Sequence, residues 1–413
     1  MDKLTGYRET LIKELFFTGV LSTGDIGTIT KKSLPIVNKI LDTMITEGWL
    51  VEKGYATSTG GRRPQMFSLV HDIFYIVAVS VDQHVTQVAV IDVNRKISGS
   101  VETLELDLKD NADAFQLLTD FIVNFIKRSG VGLNNILGVG IGMPGFVNAS
   151  RGINYSYFKN IPGSHAAAIS NKIGLPVFID NDSSVMALAE LRMGAARNRK
   201  NAMVINVGWG IGLGMIINGR LFRGDNGFAG EFSHIPLFVN NKICDCGKSG
   251  CLETETSLYV MAEKAVKGLD ANKPSQLRDL SLEHVQETTN KILTAAMHGD
   301  KFAVELLSDI AYNIGRGVAI LIHIVNPGQI ILTGRGATAG KLWLAPLQQA
   351  LNVHCIPRLA ENTTVEISAL ANEAGLWGAA ALVMENLEEG FSVQKTEKFK
   401  NNTQEKAQSM ENN

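Results

Sequence analysis

Three of the chain's four cysteines lie in one short run, Cys244-Asp245-Cys246-Gly247-Lys248-Ser249-Gly250-Cys251, and His234 stands just upstream. Three thiolates and one imidazole form a complete tetrahedral donor set for zinc and leave no position open for water. The chemistry predicted here is therefore structural, with His234, Cys244, Cys246 and Cys251 as the ligands. Gly247 and Gly250 let the backbone turn tightly around an ion. Four cysteines in 413 residues are too few for a disulfide framework.

A second group of residues suits a polyanion. Lys31, Lys32 and Lys39 flank Ser33 and Asn38 with no acid inside the run. Lysines of this kind contact phosphates. Ser33 and Asn38 suit base edges, Asn toward adenine. The loop Gly60-Gly61-Arg62-Arg63-Pro64 adds two arginines beside two glycines. Glycine permits close approach, and Arg62 and Arg63 suit a narrow, A·T-rich minor groove.

Both groups need elements to place them. Leu4–Phe17 has apolar residues at helical spacing. Ser22 or Thr23 is a good N-cap for a short helix to Ile29. Another helix starts near Ser33, with Pro35 in its first turn, and ends at Gly48. Its apolar stripe is Leu34, Val37, Ile40, Leu41, Met44 and Ile45. Trp49–Val51 and Met66–Leu69 read as strands around the Arg62-Arg63 loop. Helix, helix, helix and hairpin is the winged helix-turn-helix order, predicted over residues 1–71.

From Ile73 the pattern becomes α/β. Strands are predicted at Ile73–Ser80, Val85–Val90 and Lys96–Leu108, then a helix at Ala112–Arg128 and a strand at Gly138–Gly142. The order recurs at Ala202–Val207, Gly212–Ile217, Arg220–Arg223, Lys301–Val325 and Gln329–Leu332. A duplicated α/β fold with a cleft between two lobes follows. Lys267–Asn290 is polar and reads as a helical insertion. The net charge of −2 excludes a generally basic protein but not a locally basic one. The most apolar run, Ala319–Val325, is short of a membrane span, and Met1–Glu14 carries three acids where a signal peptide would be apolar. A cytoplasmic protein with no membrane partner is expected.

Several motifs together closely resemble the ROK family of repressors and sugar kinases. They are Gly142-Met143-Pro144-Gly145, Asp180-Asn181-Asp182, Gly208–Gly214, Gly230-Glu231-Phe232-Ser233-His234, the cysteine run through Glu253, and Asn326-Pro327. The resemblance implies a two-lobed, actin/hexokinase-like (ribonuclease H-like) core behind the winged helix-turn-helix. It implies a first lobe over 72–190, completed by about 376–388, and a second lobe over 191–375 with the zinc motif. Residues 389–413, rich in Gln, Lys, Glu and Asn, read as a disordered tail.

The resemblance also assigns sugar contacts to Asn181, Asp182, Glu231, His234 and Glu253. The family's kinases carry D-x-G-G-T in their first phosphate loop, and that motif falls on Ser80-Val81-Asp82-Gln83-His84. Trp209 stands where they have a small threonine, and Arg335 where they have a glycine. Phosphoryl transfer needs backbone NH groups and a divalent metal at the nucleotide phosphates. These departures imply that no residue is catalytic. A sugar-responsive repressor is therefore expected, with a sugar kinase as the alternative. The resemblance implies operator DNA, palindromic and A·T-rich, as one partner. A sugar or sugar-phosphate inducer and a homodimer or homotetramer are the others.

Overall fold

The structure is a computed structural model and describes residues 5–56 and 63–387. The expected tail at 389–413 and most of the Arg62 loop lie outside the described residues.

The N-terminal unit begins with helix α1 (Thr5–Thr18), the two-residue strand β1 (Leu21–Ser22) and helix α2 (Thr23–Thr30). A capping box starts α2. Ser22 Oγ accepts from Asp25 N at 3.1 Å, and the Asp25 carboxylate accepts from Ser22 N at 2.9 Å. The chain then turns through Lys31, whose φ is +54°, into helix α3 (Leu34–Thr46). Helix α3 buries Val37, Ile40, Leu41 and Met44. Leu34, in the first turn of α3, departs from the predicted stripe and is 59% exposed, as Ile36 is at 44%. Strands β2 (Leu50–Tyr55) and β3 (Gln65–Leu69) complete a sheet of order β1-β3-β2. This is a winged helix-turn-helix.

Two sheets of matching topology follow. In the first, β4 (Tyr75–Val81), β5 (Val85–Asp92) and β6 (Ile97–Glu105) form an antiparallel meander. Helix α4 (Ala114–Arg128) leads to β7 (Ile136–Met143), parallel to β4. The small pair β8 (Val147–Asn148) and β9 (Ile153–Asn154) and helix α5 (His165–Ile173) lead to β10 (Val177–Asn181), parallel to β7. Helix α6 (Asp182–Arg192) carries the chain onward.

In the second sheet, β11 (Ala202–Val207), β12 (Ile211–Ile217) and β13 (Arg220–Phe222) repeat the meander. Helices α7 (Glu253–Thr256), α8 (Leu258–Asp270), α9 (Val285–Met297) and α10 (Lys301–Val325) follow. Strand β14 (Gln329–Thr333) is parallel to β11. After α11 (Leu344–His354) and α12 (Pro357–Ala360), β15 (Thr364–Ile367) lies parallel to β14. The orders β10-β7-β4-β5-β6 and β15-β14-β11-β12-β13 are one topology used twice.

The last helix, α13 (Ala374–Glu385), returns to the first sheet and packs on β4 and β7. It lies against α6, which in turn packs on the second sheet. Gly378 makes this possible, because a Cβ there would run into the Val185 carbonyl. The predicted helical insertion at Lys267–Asn290 is two helix ends with an irregular stretch between them. Asn272 has φ +57°, and Asp300 pins the stretch by accepting from Ser275 Oγ at 2.9 Å and Gln276 N at 2.6 Å. Among the described residues no helix is long and apolar enough to cross a membrane.

Candidate functional site

The two lobes face each other across a cleft of ≈ 1000 Å³ whose wall includes Asn181, Asp182, Glu231, His234 and Glu253. All five residues named by motif therefore share one cavity. Asn181 ends β10 and caps α6: its Oδ1 accepts from Ser183 N at 3.0 Å and Ser184 N at 3.2 Å. Its Nδ2 donates to the Gly145 carbonyl at 3.1 Å, which ties the Gly142–Gly145 turn to the same corner.

Asp182 is the first residue of α6. Its Oδ1 accepts from Ser183 N at 2.7 Å, and its Oδ2 accepts from Asn206 Nδ2 at 3.2 Å across the cleft. Burial holds its carboxyl above the usual range, opposed by the Ser183 bonds and reinforced by the Asp82 charge. Burial also raises Glu231, helped by Asp182. Glu253 is pushed up to about 7, by burial first and the Asp245 charge second. Three carboxyls crowded in one half-enclosed cavity gain most from a ligand rich in donors. A polyol supplies them, since each carboxylate oxygen can accept from a hydroxyl.

His234 joins this cavity to the cysteine loop. Its Nδ1 lies 3.5 Å from Cys244 Sγ, and its Nε2 lies 3.7 Å from a Glu231 oxygen. Burial lowers its pKa, which favours the neutral imidazole that a metal binds. The four ligand atoms of His234, Cys244, Cys246 and Cys251 all lie within 4.8 Å of one another. Cys246 and Cys251 Sγ are 3.6 Å apart. A tetrahedral ion with zinc–sulfur bonds near 2.3 Å sets sulfur atoms about 3.8 Å apart. The cluster is thus composed and spaced to hold a metal ion. Gly250, at φ +75°, lets the loop pass close under the Phe238 backbone.

The opposite end of the cleft is built differently. Asp82 Oδ1, in the β4–β5 turn, accepts from His84 N and Val85 N at 2.8 and 2.7 Å. Its Oδ2 pairs with Arg335 Nη2 from the other lobe at 2.9 Å. The Arg335 guanidinium lies 5.2 Å over the Trp209 ring, and the His84 ring meets Trp209 edge-on at 5.5 Å. Trp209 is 6% exposed.

Sequence reasoning missed several cleft residues. Asn206 bonds to Asp182 from the second sheet, and Tyr155, Ser156 and Tyr157 line the cleft from the β8–β9 region. No local pattern marks them, because only the pairing of the lobes brings them in. Buried Asp180 pairs with Arg223 of the other lobe at 2.6 Å, beside the Asn181-Asp182 corner.

In the N-terminal unit, Ser33 caps α3 by backbone only, which leaves its hydroxyl free of the cap. Lys31, Ser33, Asn38 and Lys39 are exposed, as is Arg63. Lys32 is half-buried over the Tyr7 ring at 5.3 Å. Exposed Leu34 and Ile36 share this helix start and were not among the predicted contacts.

A family model described as ROK family matches residues 76–386. The xylose repressor of Caldicellulosiruptor bescii is 30% identical over 387 residues, covering 91% of this chain and 95% of that protein. A glucokinase of Halalkalibacterium halodurans is 35% identical but covers only 60% of this chain and 77% of its own. The crystal structure of a ROK family transcriptional regulator, a homologue of the E. coli MLC protein, superposes with TM-score 0.74 at 22% identity. It covers 94% of this chain and 98% of its own, and shows the shared fold.

Proposed function

The chain belongs to the ROK family, and on that premise we propose that it is a sugar-responsive transcriptional repressor. The winged helix-turn-helix binds operator DNA, and a sugar bound in the cleft releases it. The carrying observation is that the reading unit is docked on the sensing core and not tethered by a loose linker. Arg95 Nη1 donates to the Phe17 carbonyl at 2.8 Å, and Phe16 packs against Phe74. Glu385 pairs with both Lys13 and Arg192, and the Arg192 guanidinium lies 5.2 Å over the Phe17 ring. The winged unit therefore moves with the first lobe.

In this reading Asn181, Asp182, Glu231, His234 and Glu253 hold the sugar hydroxyls. Zinc, held by His234, Cys244, Cys246 and Cys251, fixes the wall that carries Glu231 and Glu253. Lys31, Lys32 and Lys39 contact phosphates. Ser33 and Asn38 contact bases, and Arg62 and Arg63 enter the minor groove. A dimer or tetramer built on the cores sets the spacing of two reading helices on a palindromic, A·T-rich operator. Lobe closure on a sugar changes that spacing.

A sugar kinase is the second reading, favoured by the glucokinase match. Against it stand Asp82, Trp209 and Arg335, which fill the space where a kinase admits phosphates. The test is fluorescence anisotropy on an operator selected from random DNA, at fixed salt, with a panel of monosaccharides. Release by a sugar, without turnover of ATP–magnesium, supports the repressor. Phosphorylation of a sugar well above background overturns it.

A further inference from the structure

The Asp82–Arg335 pair forms the end wall of the same cleft that holds Asp182, Glu231 and Glu253. Its two halves come from different lobes. Asp82 is fixed by two backbone N–H bonds, and the Arg335 guanidinium lies 5.2 Å over the Trp209 ring. The cation is thus already engaged by a carboxylate and a ring face. The other charged groups on the wall are Lys109, Lys159, Asp110 and Asp245. Lys109 pairs with Asp245 at 3.0 Å, and Lys159 is exposed at the rim.

We infer that Asp82 and Arg335 are specificity residues that make the cleft select an unphosphorylated sugar and reject its terminal phosphate ester. This rests on the sugar reading above and narrows it. An ester adds a charge of about −1.5 to −2 at neutral pH. A sugar held at Asp182 and carrying that group toward the end wall meets Asp82, a fixed anion, with its compensating cation already taken. Trp209 lines the same end and holds the guanidinium in place. The space that a kinase opens to a nucleotide is here closed against anions.

The two partners of the pair make opposite predictions, which a merely structural bridge does not. Asp82→Asn keeps the Oδ1 acceptor for His84 N and Val85 N, removes the negative charge and frees the cation. Ester affinity should rise at least tenfold, with neutral-sugar affinity within threefold of the parent. Arg335→Gln leaves Asp82 uncompensated, so ester affinity should fall further below the parent's. Lys159→Ala, at the rim, should leave the preference unchanged.

The measurement is titration calorimetry on the full chain. The probes are D-xylose, D-glucose and N-acetyl-D-glucosamine, each beside its terminal phosphate. Circular dichroism checks that each variant is folded. A parent preference of tenfold or more for a free sugar, with opposite shifts in the two variants, supports the inference. Equal or tighter binding of an ester by the parent overturns it and leaves the sugar reading standing. Shifts of the same sign in both variants reduce the pair to a bridge and also overturn it. Binding of no probe at all overturns the sugar reading itself, and this inference with it.

Discussion

The cleft has two ends that use the same kinds of side chain for opposite purposes. At the cysteine-loop end, Asp182, Glu231 and Glu253 have their carboxyls raised by burial and line the cavity. At the far end, Asp82 is fully engaged by two N–H groups and a guanidinium, and an aromatic ring closes the gap. One end keeps polar capacity in reserve for a ligand. The other has spent it within the protein, as buried polar groups generally must. The two ends thus differ in how far their carboxyls are satisfied within the protein, and under the proposed function the first binds the sugar and the second is closed.

The largest break in this comparison comes from the cysteine loop. If zinc holds the open end in shape, Cys246→Ser should lose the ion and loosen the wall from His234 to Cys251. Metal analysis should find about one zinc per chain in the parent and none in the variant. Because metal binding is coupled to folding, the stability loss should be several kcal/mol. Thermal unfolding with and without chelator reads it. A metal-free protein that is fully folded and binds sugar at full strength defeats this assignment.

Next in size is Asp182→Ala. A hydrogen bond to a charged group contributes about 1.5–3 kcal/mol, so sugar affinity should drop roughly 10- to 150-fold. Operator affinity without sugar should not change, since Asp182 lies in the cleft and not on the winged unit. Anisotropy then shows a variant that holds its operator when the parent lets go. Release of Asp182→Ala at the parent's sugar concentration removes the open end from the inducer site.

The sealed end predicts an intermediate result. ATP–magnesium should give no thermal shift in the parent. At a ligand concentration of about 100 Kd, binding would add about 2.7 kcal/mol of stability, so even weak nucleotide binding is detectable. Restoring glycine at Asp82 and Gln83 should not create turnover, because Ser80, Trp209 and Arg335 remain. Turnover in that double variant shows that the seal is thinner than its side chains suggest.

The two ends also differ in how far the sequence alone displays them. The residues that line the open end are legible one by one, because they sit in short motifs: Asn181-Asp182, Glu231 to His234, and the cysteine run to Glu253. Local spacing is what a sequence displays. The sealed end was legible only as a set of departures at Asp82, Trp209 and Arg335. Their pairing across 253 positions depends on the closure of two lobes, which no local pattern encodes. Asn206 and the Asp180–Arg223 pair were hidden for the same reason. The doubled sheet topology was readable because meander and crossover repeat in order. Leu34 falls on the apolar stripe yet is exposed, because helical period alone cannot tell the last core position from the first exposed one. The Lys267–Asn290 segment is irregular where a helix is expected, and Asp300, beyond the segment, holds it through Ser275 and Gln276.

The smallest effect separates two of the ion pairs that join the lobes. Lys109–Asp245 bridges the lobes at the open end, with side chains 70% and 90% exposed. Asp82–Arg335 bridges them at the sealed end, at 30% and 22%. Exposed pairs contribute only about 0.2–1 kcal/mol and are screened by salt. Lys109→Ala should therefore weaken sugar binding by less than about fivefold, and the difference should vanish in high salt. If the lobes are positioned chiefly by the sealed end, operator affinity should stay at the parent's value in Lys109→Ala. Arg335→Ala should shift it, because the half-buried pair and its ring contact resist screening. Measuring both variants across a salt series on one labelled operator decides the matter. A Lys109→Ala effect equal to that of Arg335→Ala, and equally resistant to salt, means both ends set the lobe angle and the sealed end has no special hold on it.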